Sequence, residues 1–214
     1  MFAYLAISPG AVDARHLAEA LSPPGSRWTE NTVYSISSKA RAWLGEDSDG
    51  HPYFPIKRQA GDFRLHDDVT TDWHQWLTLI GDDATATPTP RLVQALSLVA
   101  GRPFSNIKEG YYTWAEGIRL EMLSSIVDVA HEVARRALLD GDAGLARHAV
   151  AVGRTVDPAS ERLWRDALRA EHVAGDQTEL RRVTRQLHEL TDDLDSTLEP
   201  ATEQLLADLR VGVH

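Results

Sequence analysis

Cysteine is absent from the 214-residue chain, which removes disulfide frameworks, thiolate metal sites and thiol nucleophiles together. A cysteine-free chain fits a reducing compartment, and a cytoplasmic protein is the expectation. Long apolar runs are missing too. Nothing approaches the roughly 18 residues that a membrane-spanning helix requires. The opening MFAYLAISPG is short and carries no basic residue, so it does not read as a secretory signal. There is no glycine-rich phosphate loop and no G-x-S-x-G elbow. His131 and Glu132 begin like a zinc-protease helix, but Arg135 stands where the second imidazole belongs, so they read as surface residues. Histidines 16, 51, 66, 74, 148, 172, 188 and 214 show no paired i, i+4 spacing. The chain is therefore expected to be no enzyme and to bind no metal or cofactor.

Positive charge is also scarce, with 22 basic against 32 acidic residues and a net charge of −10. Its distribution matters more than its sum, because phosphate contacts need local cations. Residues 1–86 carry 7 basic and 12 acidic groups. Within them, residues 31–45 hold Lys39 and Arg41 with no acid, and residues 51–66 hold Lys57, Arg58 and Arg64 against Asp62 alone. The acids gather at Glu46, Asp47 and Asp49 and after Asp67. This permits a small cationic face.

What the chain does have is ordinary for a globular protein: 43% hydrophobic and 25% charged residues. Residues 82–90, rich in Thr, Ala and Pro, read as a linker. Before it, Asp13 is a natural N-cap for a helix that places Leu17, Ala20 and Leu21 on one face. Residues 22–25 (Ser-Pro-Pro-Gly) stop that helix. A second helix follows Thr29 and ends at Gly45. Tyr53, Phe54 and Ile56, then Gly61, then Phe63 and Leu65 predict a β-hairpin. Asp72 caps a further helix with Trp73, Trp76, Leu77 and Ile80.

After the linker everything reads as helix, and there is a repeat. Gly141 and Asp142 recur 34 residues later as Gly175 and Asp176, each pair between two helical segments. That spacing is the tetratricopeptide period, a helix–turn–helix unit that buries its apolar face by stacking on neighbours. Leu123, Ile126, Val127, Ala130, Val133, Ala134, Ala137 and Leu138 form one apolar stripe ahead of the first turn. Pro158 breaks the chain between repeats. Arg135, Arg136, Arg147, Arg181, Arg182 and Arg185 read either as a groove for an acidic partner or as solvated helix faces. Trp73, Trp76, Trp114 and Trp164 read as core, and Trp28 and Trp43 as packing the helix between them onto its domain.

Around a helical wheel the segment after Thr29 turns Val33, Ile36, Ala40 and Leu44 inward. Asn31, Tyr34, Ser35, Ser38 and Ala42 face outward, flanked by Lys39 and Arg41. Short polar groups that reach base edges beside cations that reach phosphates are what a major-groove helix needs. The segment NTVYSISSKARAWLG, residues 31–45, resembles the recognition helix of the OmpR/PhoB-type winged helix in actinobacterial antibiotic-regulatory activators, through Val33, Ser38, Lys39, Ala40, Arg41, Leu44 and Gly45. The preceding helix, with Leu17, Ala18 and Leu21, and the segment with Gly61 and Leu65 are similar to that family's first helix and wing. Residues from Gly101 onward resemble the bacterial transcriptional activator domain, through Pro103, Trp114, Glu116, Arg119, Leu138, Gly141, Pro158, Glu161, Leu163, Gly175, Leu198, Glu199, Pro200, Thr202 and Leu205.

The resemblance implies a mostly α protein: a winged helix-turn-helix with a small β-hairpin wing over residues 1–83, lacking the family's N-terminal sheet, then a tetratricopeptide-like domain over residues 84–214. It implies a regulator that binds double-stranded DNA. Asn31, Tyr34, Ser35 and Ser38 would meet bases, while Arg27, Lys39, Arg41, Lys57, Arg58 and Arg64 would meet phosphates. The repeats would form a homodimer or contact another protein such as RNA polymerase. The resemblance further implies that a longer, membrane-anchored parent carries segments ahead of Met1. The competing expectation is a protein-interaction adaptor whose winged helix no longer binds DNA.

Overall fold

The computed structural model describes residues 1–8, 10–56, 63–108 and 110–211, apart from the side chains of residues 210 and 211. These residues form ten α-helices and one 3-10 turn, with no strand among them. They divide into two compact units: Met1–Gln75 with Phe104–Leu120, and Trp76–Pro103 with Glu121–His214. No described helix is long and apolar enough to cross a membrane.

The first unit contains α1 (Phe2–Ile7), α2 (Ala14–Leu21) and α3 (Glu30–Leu44). Each start is set locally. The Asp13 side chain accepts the His16 N–H at 2.8 Å, and the Thr29 hydroxyl accepts the Thr32 N–H at 3.3 Å, satisfying donors that a helix N-terminus leaves open. Gly45 ends α3 at φ +72°, a region that glycine enters without penalty. Leu5, Leu17, Leu21, Val33, Phe54, Phe63 and Leu65 form the core, with Trp28 and Trp114 packed against it. Trp114 meets Tyr4 edge-on at 5.0 Å and Phe104 at 6.1 Å.

The expected β-hairpin wing is not formed, and with it the winged-helix fold class is corrected to an all-helical arrangement among the described residues. Phe63 pairs not with residues 53–56 but with Val12, through Val12 N–H to Phe63 O at 2.9 Å and Phe63 N–H to Val12 O at 2.6 Å. A second isolated bridge joins Glu46 and Pro52. The physical reason lies in Pro52 and Pro55, which lack the N–H that a ladder needs every second residue. Phe54 and Phe63 instead turn their rings into the core, 6.2 Å apart, and Ile56 is left 71% exposed. Residues 57–62, where the hairpin turn was expected, lie outside the described residues.

The second unit is built from helices. α4 (Asp72–Ile80), whose first four residues belong to the first unit, and α5 (Thr89–Leu96) precede α6 (Glu116–Leu139), whose first five also belong to the first unit, then α7 (Ala143–Val156), α8 (Glu161–Ala174), α9 (Gln177–Asp193) and α10 (Pro200–Val211). Between α4 and α5 the Thr87 hydroxyl donates to Ile80 O at 2.5 Å, and Asp83 accepts from the Thr85 N–H and hydroxyl. Residues 81–88 are thus an ordered turn, and Thr89 and Pro90 open α5.

The 34-residue repetition is carried into atomic detail. Gly141 and Gly175 have φ +74° and +70°. Asp142 and Asp176 each donate a backbone N–H to the carbonyl five residues back, Ala137 O at 2.8 Å and Glu171 O at 3.1 Å. Each then caps the next helix, accepting Leu145 N–H at 2.9 Å and Glu179 N–H at 3.0 Å. Ion pairs 34 residues apart recur: Asp128 of α6 with Arg162 of α8 at 2.6 Å, and Arg165 of α8 with Glu199, just ahead of α10, at 2.5 Å. Because the two caps share one geometry, Asp142→Ala and Asp176→Ala should each cost about 1 kcal/mol. Urea midpoints shifted by similar amounts in the two variants are the expected result.

Candidate nucleic-acid interface

The candidate interface is the outer face of α3, and its position follows from what lies beneath. α2 packs against α3, with Leu17 and Val33 fully buried. The connection between them is tied at Ser22, whose hydroxyl donates to Ala18 O at 2.6 Å and accepts the Trp28 N–H at 2.8 Å. Ser37 is also fully buried. Its hydroxyl donates to Tyr34 O at 2.8 Å, so a polar group sits in the core without an unmet hydrogen bond. With Val33 and Ser37 inward, Asn31, Tyr34, Ser35, Ser38, Lys39 and Ala42 are all exposed. Asn31, Ser35, Ser38 and Ala42 follow one another at helical spacing and make a continuous stripe of short side chains. The Tyr34 ring is steadied against Phe63, 5.6 Å away.

The cations divide into two groups. Lys39 and Arg27 are exposed, and neither has an ion-pair partner among the described residues. Arg41 is occupied: its guanidinium stacks over the Phe54 ring at 4.8 Å and its Nε donates to Phe54 O at 3.1 Å. Burial pushes its pKa down from the ordinary arginine value. It holds the 53–56 segment to α3 rather than extending toward solvent. Arg64 is exposed but donates to Asp67 at 2.5 Å. Lys57 and Arg58 lie outside the described residues.

Two other expectations are corrected. Trp28 packs against the core, but Trp43 is 77% exposed and touches Phe2 edge-on at 6.3 Å. Glu132 is buried, not a surface residue. His131 bonds through Nδ1 to buried Asp166 at 2.5 Å. Trp73, Trp76 and Trp164 are buried as expected, with Trp76 Nε1 donating to Ser125 at 2.9 Å.

Past the end of α3, Asp47, Asp49 and His51 bring their ligand atoms within 4.8 Å of one another. Asp47 already accepts the N–H groups of Asp49 and His51, which holds its carboxyl below the usual range. The cluster closes a turn. Most of the arginines singled out in the repeat region are likewise engaged: Arg135 and Arg136 on Glu132, Arg147 on Glu171, and Arg182 on Glu179. Arg154, which the sequence did not single out, lies over the Trp164 ring at 3.3 Å, and desolvation lowers its pKa to about 10.

No family profile matches the chain, and no characterised protein matches it in sequence.

Proposed function

We propose that this chain is a cytoplasmic DNA-binding transcriptional regulator, with α3 entering the major groove and the helical repeats making protein contacts. The observation that carries the reading is the exposed stripe Asn31, Ser35 and Ser38 on a helix anchored from below by Val33 and Ser37. Asn31, Tyr34, Ser35 and Ser38 would reach base edges, while Arg27 and Lys39 would reach phosphates. The resemblance of residues 31–45 to the recognition helices of antibiotic-regulatory activators supports it, as does the 34-residue helical repeat. In this reading the repeats bind a second copy of the chain or the transcription machinery. Two heads joined on adjacent half-sites offset the weak grip of one head with few free cations.

The test is fluorescence anisotropy on a pool of duplex sequences at low salt. Lys39→Ala should weaken binding across all sequences and reduce the salt slope by about 1. Asn31→Ala should cost about 1–3 kcal/mol on preferred sequences and relax their discrimination. Arg41→Ala should lower thermal stability and leave the salt slope unchanged, because its guanidinium is held on Phe54. Retention unaffected by Lys39→Ala would favour the protein-interaction adaptor. The net charge of −10 and the engagement of Arg41 and Arg64 speak for that second reading.

A further inference from the structure

Among the described residues the outer stripe of α9 is left uncovered beside α10. Leu180 and Thr184 of α9 and Leu206 and Leu209 of α10 line a groove of about 540 Å³. Thr184 turns its hydroxyl back to Leu180 O at 2.9 Å, so it offers a methyl group to the groove. The rim carries a divided charge. Arg181 and Arg185 stand in the N-terminal half of α9, and Glu189 and Asp192 in the C-terminal half, all on the same groove-lining stripe. These charges are weakly used within the chain. Arg185 and Glu189 approach to 3.7 Å with both side chains well exposed. Arg181 and Asp192 have no ion-pair partner among the described residues.

A helix with one basic and one acidic half, split along a single stripe, is complementary to its own reverse. Set antiparallel to a second α9 about a two-fold axis near Gln186, Arg181 faces the second copy's Asp192 and Arg185 faces its Glu189. The same arrangement carries Leu194, 55% exposed at the end of α9, to the Leu180 end of the opposite groove. A parallel alignment would set like charge on like. Seventeen residues give α9 a length of about 25 Å, enough for both charge pairs to form twice.

We propose that the α9–α10 groove is a self-association face occupied by a second copy of this chain, α9 lying antiparallel on α9. Leu180, Leu206 and Leu209, already buried within the chain, form the floor of the groove; burial of the exposed Leu194 and of the Thr184 methyl group adds apolar contact, while the rim charges fix the register and exclude the parallel pairing. This rests on the reading that the repeats bind a second copy of the chain, and names the face that would do so. It is measured without nucleic acid, so it and the DNA-binding reading can fail separately.

The experiment is sedimentation equilibrium of the full chain at low ionic strength. The wild type should populate a dimer in the micromolar range. Arg181→Glu with Arg185→Glu makes the stripe wholly acidic, and Glu189→Arg with Asp192→Arg makes it wholly basic. Each double variant alone should associate roughly tenfold or more weakly. An equimolar mixture of the two should restore the dimer, which also shows that both are folded. Leu194→Ser tests the same face without altering charge, and should weaken association while the thermal midpoint of the monomer stays unchanged. A wild type that stays monomeric, double variants that dimerise like the wild type, or a mixture that fails to associate would each overturn the proposal.

Discussion

Replacing Arg136 by alanine should cost about 3 kcal/mol of folding stability, seen as a fall in Tm on the order of 10 °C for a chain of this size. The guanidinium joins two parts of the repeat unit. Its Nε donates to Glu132 at 2.6 Å, and its terminal nitrogens donate to the carbonyls of Ala84, Thr85 and Thr87 and to the Thr89 hydroxyl. The turn between α4 and α5 is thereby closed onto α6. Loss of this one side chain leaves several carbonyls short of a donor and a buried carboxylate with half its compensation. Arg135 makes a bidentate pair with Glu132 at 2.8 Å but is half exposed. Arg135→Ala should therefore cost much less. Arg136→Lys should not rescue, because an ammonium cannot serve five acceptors spread around a planar fork. Equal losses for the two alanine variants in a denaturant titration would contradict this division of labour.

The same network sets an acid limit. The Arg135 and Arg136 guanidiniums lower the Glu132 pKa from 4.5 to about 2. A carboxylate whose pKa is depressed on folding contributes stability that is full above its unfolded value and fades as pH falls. For Glu132 the window runs from about pH 4.5 down to about pH 2, and the contribution is about 3 kcal/mol. Glu132→Gln should flatten the stability profile across that window. A variant with the wild-type acid slope would sink the assignment.

Gly153→Ala is the second large effect, and two opposing terms decide its sign. Alanine gains about 1 kcal/mol over glycine in a helix interior. Here, however, an added Cβ would stand 2.7 Å from a Leu163 methyl and 2.8 Å from the Ala130 Cβ. Leu163 and Ala130 are both fully buried. Leu163 can rotate, but the Ala130 Cβ is fixed to its backbone, so α6 and α7 must part. Overpacking of this kind costs about 1–3 kcal/mol, and the net change should be a loss. Gly153→Val, with two further methyl groups, should lose more. A rise in Tm for Gly153→Ala would mean that the two helices are less closely packed at this point.

The parts of the fold legible in the sequence were those fixed within a few residues of chain. Asp13, Thr29, Asp142 and Asp176 all cap the helices they precede, because a side-chain oxygen three residues from an open N–H needs no tertiary help. Gly141 and Gly175 recur for the same local reason. The hairpin was misread because Tyr53, Phe54, Phe63 and Leu65 look like paired strands by alternation alone. The missing donors at Pro52 and Pro55 and the pull of the core on both phenylalanines outweighed that pattern. Lys39 and Arg41 are equivalent on a helical wheel. Phe54, thirteen residues beyond Arg41, takes one of them out of use and leaves the other free.

By itself the sequence determined most of the helices of this protein, though not α1, together with the 34-residue period and the polar stripe on α3, since each depends on spacing along one segment. Tertiary structure alone decided which cations remain available, that Glu132 is buried between two arginines, and that residues 104–120 join the N-terminal unit. Those outcomes depend on which distant side chain arrives beside a charge or an apolar face. Contact across tens of residues is an energy of packing and desolvation, and no local pattern encodes it.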